Sequence, residues 1–161
     1  MRLRNLELKD APLMLEWMHD PDVVKDLCGN FLDKSLDDAK HFIKHISCTD
    51  LHLAIVSDED EYMGTVSLKY IDNDKGNAEF AIAVRKCAMG KGYSWYGMKE
   101  IINKAIHEYR LTSIYWCVSK NNDRAIRFYE KHGFEITDSV GQNVLDRYSE
   151  MDDLKWYAYK I

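Results

Sequence analysis

No Cys-x-x-Cys pair occurs in the chain, and its four cysteines (Cys28, Cys48, Cys87 and Cys117) are scattered. That spacing excludes a zinc ribbon and a disulfide framework, and predicts reduced thiols in a cytoplasmic setting. Basic residues are not in excess: 22 Lys and Arg stand against 27 Asp and Glu, a net charge of −5, so no nucleic-acid footprint is expected. A long apolar run is also missing, which excludes a signal peptide and a membrane-spanning helix from the expectations. Two phosphate-binding patterns are absent. No G-x-x-x-x-G-K-[ST] can be drawn, and Gly90-Lys91-Gly92 is followed by Ser94 and Trp95, which breaks a G-x-G-x-x-G. His41 and His45 share a helical face at i, i+4 but find no third ligand in the sequence, so no metal site is expected.

What is present fits one soluble globular domain over residues 1–161, long enough to bury a core. The chain is organised around Met89-Gly90-Lys91-Gly92-Tyr93-Ser94. Upstream, Phe80-Ala81-Ile82-Ala83-Val84 is an apolar run of strand length. Downstream, Trp95, Met98, Ile102, Ala105, Ile106 and Tyr109 recur at helical spacing. Strand, glycine loop and helix start together form an anion site. The first helical N–H groups are unpaired, the helix dipole is positive there, and glycine lets a ligand approach the backbone.

In chain order, Arg2 to Leu8 alternates as a first strand. Asp10 and Pro12 open a helix carrying Leu13, Met14, Trp17 and Met18, and a short helical segment is predicted over residues 22–27. Ser35 and Asp38 form a capping-box pattern ahead of Leu36, Ala39, Phe42 and Ile43. Strands are predicted over 51–56, 62–71 and 77–84, the last two joined by Asp72-Asn73-Asp74-Lys75-Gly76, which has hairpin chemistry. These three read as an antiparallel meander. A strand over 113–118 follows the long helix, so a crossover places it parallel to its partner. Asn121 and Asn122 cap a helix over 123–132 with Gly133 after it. Final strands are predicted over 135–140 and 155–161, and residues 141–153 yield no assignment.

Asn122-Asp123-Arg124-Ala125-Ile126-Arg127-Phe128-Tyr129-Glu130-Lys131-His132-Gly133-Phe134 resembles the N-x-x-A-x-x-x-Y-x-x-x-G-F segment of the GNAT superfamily, the acetyl-CoA-dependent N-acetyltransferases. The loop from Met89 to Ser94 resembles that family's [Q/R]-x-x-G-x-[G/A] pyrophosphate motif, in family order and at plausible spacing. The similarity covers Tyr62 to Phe134, and the N-terminal helices look like those of the ribosomal-protein N-terminal acetyltransferase branch. Met89 replaces the usual Gln or Arg, and Ser94 replaces Gly or Ala. Neither change removes a backbone N–H, so pyrophosphate binding is expected to survive.

The resemblance implies an α/β (α+β) fold: a mixed, mostly antiparallel sheet flanked by helices, with one splayed parallel strand pair forming the cofactor cleft. It implies acetyl-CoA as co-substrate and an amine acceptor attacking directly in a ternary complex. Neither nucleic acid nor membrane is implied as a partner, and a homodimer is compatible with it. The loop residues Met89, Gly90, Lys91, Gly92, Tyr93 and Ser94, the backbones of Ile82, Ala83 and Val84, and Asn122 are the expected cofactor contacts. Asn122 reads equally as a plain helix cap. A non-catalytic acyl-CoA-binding module is the alternative function, and the acceptor is not legible: a protein N-terminus, a polyamine or an amino sugar all fit.

The chemistry asks for two protons to move. An alkyl ammonium with a pKa of about 10.4 must lose one before it attacks, a penalty of about 4.6 kcal/mol at neutral pH. Glu79, on the strand feeding the loop, is the expected base, since the position where some relatives carry a Glu on the next strand holds Cys117. The departing thiolate needs a donor, and Tyr129 in the family register is the expected one. Its intrinsic pKa of about 10 against about 8.5 for a thiol makes it a hydrogen-bond donor at least. Backbone N–H groups near Ile82 to Val84 are placed to stabilise the developing oxyanion.

Overall fold

The computed structural model describes residues 1–151 and 153–160. A single sheet has its six strands in sequence order: β1 (Arg2–Asn5), β2 (Leu51–Val56), β3 (Tyr62–Asp72), β4 (Asn77–Val84), β5 (Ser113–Ser119) and β6 (Leu154–Lys160). β1 to β4 form the expected antiparallel meander, β4 and β5 are parallel, and β6 returns antiparallel to β5. Alternation along β2, β3 and β4 divides the side chains between two cores. Leu53, Ile55, Val66, Leu68, Phe80 and Val84 pack with Met98, Ile101 and Ile102 of α4 (Tyr93–His107). Gly97 lets that helix lie close on the sheet, because a Cβ there would sit 2.5 Å from Ile55 Cδ1.

On the opposite face, Ala54, Val56 and Tyr62 pack with Met14, Trp17 and Val23. These come from α1 (Ala11–Met18) and α2 (Pro21–Val24), and α3 (Leu36–Lys44) completes the layer. The start of α1 is tied to β1 by a bidentate pair: Arg4 Nη1 and Nη2 reach Asp10 at 2.7 and 2.8 Å. Asp10 also accepts from the Glu7 N–H, so it closes a 3₁₀ turn (Leu8–Asp10), and the first strand ends at Asn5 rather than Leu8. The predicted second segment starts one residue earlier, since Pro21 opens α2 and Asp20 caps it through the Asp22 N–H. Ser35 and Asp38 form the predicted capping box.

The strand predicted over 135–140 is not formed; it retains one isolated bridge, Ile136 to Tyr157. β6 occupies the free edge of β5 along its full length, from Ser113–Lys160 to Ser119–Leu154. Thr137 meanwhile accepts the Ser139 N–H and closes a local turn, competing with a ladder. Residues 141–153 contain α6 (Gln142–Leu145) and a 3₁₀ turn (Asp146–Tyr148). The last strand runs Leu154–Lys160, and Ile161 lies outside the described residues.

Candidate active site

Residues at the centre of the sheet create the cleft. β4 and β5 share only three register pairs, Asn77–Ser113, Ala78–Ile114 and Glu79–Tyr115. Beyond Glu79 and Tyr115 the two strands continue without pairing, as the family resemblance implies for the splayed pair. The cleft between them encloses about 740 Å³ and is walled by Phe80 to Val84 on one side and Trp116 to Ser119 on the other. Strand edges there carry backbone N–H and C=O groups without a ladder partner, which a ligand bearing amides can satisfy.

At one end of the cleft lies the glycine loop. Gly90 and Gly92 have φ of 74° and 87°, backbone that glycine adopts without strain. Gly92 caps α4 with no side chain, and the N–H groups of Tyr93, Ser94 and Trp95 have no acceptor among the described residues. No heavy atom lies within 4 Å of a Cβ built on Gly90, so the loop is open to a ligand. Met89, Gly90 and Ser94 line the cleft with Ile82, Ala83, Val84 and Asn122, whereas Lys91, Gly92 and Tyr93 are not part of its wall. Donors, dipole and open backbone fit a pyrophosphate.

Asn122 caps α5 (Asp123–Lys131): its Oδ1 accepts the Ala125 N–H at 3.0 Å. Its amide nitrogen has no partner among the described residues, so the cap leaves a donor for the cleft. Arg124, on the first turn of α5, was not singled out in the sequence. Its Nη1 lies 3.2 Å from the Met89 sulfur, and both residues line the cleft. The guanidinium thus brings positive charge to the loop position where the family pattern has Gln or Arg. Its place two residues after Asn122 was the available signal.

Tyr129 is buried, with its ring among Trp116, Phe134 and Tyr157, yet it lines the cleft. Its hydroxyl has no hydrogen-bond partner among the described residues. Burial first, then the neighbouring Tyr157 and Cys117, push its pKa up, so it keeps its proton at neutral pH and can donate. Burial likewise pushes the Cys117 thiol up to about 12, which removes the thiolate as a base.

Glu79 also lines the cleft, at the last pairing before the splay. It is almost fully buried, and both carboxylate oxygens are engaged. Arg147 Nε donates to one at 2.6 Å and the Tyr148 hydroxyl to the other at 2.7 Å, with Lys69 Nζ 3.7 Å away. The segment that the sequence left unassigned therefore supplies two of its partners. Nearby, His52 and Ser67 sit opposite each other on β2 and β3, with Nδ1 and Oγ 2.7 Å apart. Burial lowers the His52 pKa below 6.5, so the ring is neutral at neutral pH. Among the described residues no group of three or more His, Cys, Asp or Glu could hold a metal; His41 and His45 stack with ring centroids 4.0 Å apart.

No described helix is long and apolar enough to cross a membrane. Comparison with known proteins agrees with the cleft. The chain is 28% identical to an uncharacterized N-acetyltransferase p20 of Bacillus licheniformis, over 84% of this chain and 79% of that protein. It is 25% identical to a spermidine N(1)-acetyltransferase of Escherichia coli K12, over 84% of this chain and 73% of that one. Among solved structures, a spermidine N-acetyltransferase from Vibrio cholerae in complex with CoA and spermine superposes with a TM-score of 0.81 at 20% identity, covering 99% of this chain and 94% of that one. The model of the acetyltransferase (GNAT) domain matches residues 1–135, and the chain belongs to that family, whose members move acetyl from acetyl-CoA to an amine.

Proposed function

We propose that the cleft joins a primary amine to the acetyl group by direct attack, with Tyr129 serving the departing sulfur. The single observation that carries this is the unpartnered Tyr129 hydroxyl in the wall of a cleft that begins at a free helix N-terminus. When bound, acetyl-CoA supplies the activated acyl carbon and a thiolate leaving group. The chain's own residues do the rest. The first N–H groups of α4 and the Arg124 guanidinium hold the pyrophosphate. The edge of Ile82 to Val84 and the free Asn122 amide nitrogen orient the pantetheine arm. Tyr129 donates a hydrogen bond to the sulfur, an interaction whose benefit grows as negative charge develops there. The raised Tyr129 pKa favours donation over full proton transfer.

On the acceptor side, the two engaged oxygens of Glu79 support a positioning role: it anchors Arg147 and Tyr148 across that end of the cleft. For Glu79 to act as the base that the sequence suggests, Tyr148 or Arg147 must first let go. The neutral His52 ring, whose Nδ1 is bonded to Ser67 and whose Nε2 lies 3.6 Å from an Asp50 carboxylate oxygen, is the second candidate acceptor for the ammonium proton, through water. The experiment is release of free thiol from acetyl-CoA in the presence of a panel of primary amines. Turnover with at least one amine, falling on Tyr129→Phe, is the expected result, and binding of acetyl-CoA without turnover of any amine overturns it.

A further inference from the structure

The acceptor half of the cleft lies beneath α1, α2, α3 and the connecting residues 25–34. Much of its wall is apolar or aromatic, with His41, His45 and His52 also in the lining. Met14 and Trp17 of α1, Val23 of α2, Leu27 and Phe31 of the connection, and Phe42 of α3 all line it. The aromatic rings are held by one another: Trp17 meets Phe31 with centroids 5.2 Å apart, and Phe42 meets the edge of His52 at 4.7 Å. Trp17 Nε1 is satisfied by the Tyr62 hydroxyl at 3.0 Å, so the indole presents a wall rather than a free donor.

Charge at this end is balanced. Asp26, Asp38 and Glu79 are its carboxylates, and Lys34, Lys69 and Arg147 are the cations beside them. Two of the three carboxylates are occupied: Glu79 by Arg147, Tyr148 and Lys69, and Asp38 by the Ser35 N–H and hydroxyl. Asp26 is left without an ion-pair partner among the described residues. A polyamine carries two or more ammonium groups in addition to the attacking one, and each needs its own carboxylate once water is removed. One free carboxylate, Asp26, does not supply them, and a cation–π contact at one ring serves one charge only.

We infer that the preferred acceptor is a monoamine carried on an apolar, aromatic-sized body, not a polyamine. This rests on the acetyltransferase reading above. The body lies between the Trp17–Phe31 pair and Phe42, and its single amine points to the splay, with the polar strip of Thr65 and Ser67 alongside. The discrimination comes from apolar burial, worth roughly ten- to hundredfold for a group of phenyl size.

The test compares 2-phenylethylamine with spermidine as acceptors for the full chain and acetyl-CoA, following thiol release. A kcat/KM for 2-phenylethylamine at least about tenfold above that for spermidine is expected. Phe31→Ala should raise KM for 2-phenylethylamine and leave that for spermidine within about twofold. Phe31 is partly exposed on a connection, so the variant should fold; acetyl-CoA binding by calorimetry checks this for parent and variant. Spermidine preferred by the parent overturns the inference while leaving the acetyltransferase reading intact. Acetyl-CoA binding with no turnover of any amine overturns both. Equal losses for the two amines in Phe31→Ala assign the aromatic wall to packing and also overturn it.

Discussion

Arg147 donates through Nε to Glu79 at 2.6 Å while its guanidinium lies over the Tyr70 ring, 4.4 Å from the centroid. One side chain thus links the 3₁₀ turn after α6 to β3 and β4 at the acceptor end. Glu79→Gln keeps the size and one acceptor oxygen but removes the charge facing Arg147 and Lys69. The carboxylate is buried but both cations are about a quarter exposed, so the expected loss of stability is about 1–3 kcal/mol, less than a fully buried pair would lose. Turnover should fall mainly through a higher KM for the amine, with the acid limb of the kcat profile unmoved. Thermal unfolding and a pH–rate series check this, and disappearance of that limb would return the base's role to Glu79.

Tyr129→Phe deletes one hydroxyl from a ring packed against Trp116 and Tyr157. No protein hydrogen bond is lost, so circular dichroism and unfolding temperature should match the parent. A donor acting on the leaving sulfur contributes in the transition state, so kcat should fall at least about tenfold with acetyl-CoA affinity nearly constant. Parental turnover in a folded variant, where chemistry limits the rate, would make Tyr129 a packing residue.

Acetyl-CoA should stabilise the fold, by about 2.7 kcal/mol at a hundred times its Kd. Gly92→Val should reduce that gain. A φ of 87° is strained for a branched residue, so the loop that caps the free N–H groups of α4 would have to shift. Differential scanning fluorimetry at graded acetyl-CoA reads the effect, and an undiminished shift would place the pyrophosphate elsewhere.

Arg124→Ala should weaken acetyl-CoA binding by roughly tenfold, less than a buried charge-assisted contact because the guanidinium is exposed. The loss should shrink as salt is added. Calorimetry at two ionic strengths measures both effects; an affinity unchanged at low salt would show that Arg124 contacts only Met89.

His52 makes stability depend on pH. Its folded pKa lies below the unfolded 6.5, chiefly because burial disfavours the charged ring, so the folded state binds fewer protons. The stabilisation is therefore complete above pH 6.5 and declines as pH falls through that value. Urea unfolding at about pH 7.5 and about pH 5.5 should show this decline, and His52→Gln should flatten it. An identical decline in the variant would assign it to other groups.

The meander and the crossover were legible because their signals are local. Alternation, the turn residues 72–76 and the glycines before a periodic helix each act within a few residues. The strand predicted over 135–140 fails for a non-local reason: its local pattern is adequate, but against β6 it makes an isolated Ile136–Tyr157 bridge and a Thr137 N–H bond to the Trp156 carbonyl rather than a ladder. The partners of Glu79 were illegible for the same reason. Arg147 and Tyr148 lie 68 and 69 residues away in a polar stretch without periodicity, and only the fold brings them to β4. Arg124 stood inside the recognised motif, but its role depends on a loop 35 residues upstream.

The three register pairs Asn77–Ser113, Ala78–Ile114 and Glu79–Tyr115, with the Thr112 and Ser113 N–H bonds to the Gly76 carbonyl beside them, lace β4 to β5 among the described residues. Mechanically, the sheet is a pair of tongs: β1 to β4 form one arm, β5 and β6 the other, and this short lacing is the rivet. The width of the mouth is then set at the rivet, far from the reacting atoms. The Asn77 side chain accepts from Asn143 Nδ2 at 3.3 Å, which ties the segment carrying α6 to that same point. Changes at Asn77, Ala78, Ser113, Ile114 and Tyr115, none of which lines the cleft, are expected to loosen or stiffen the grip on both substrates together.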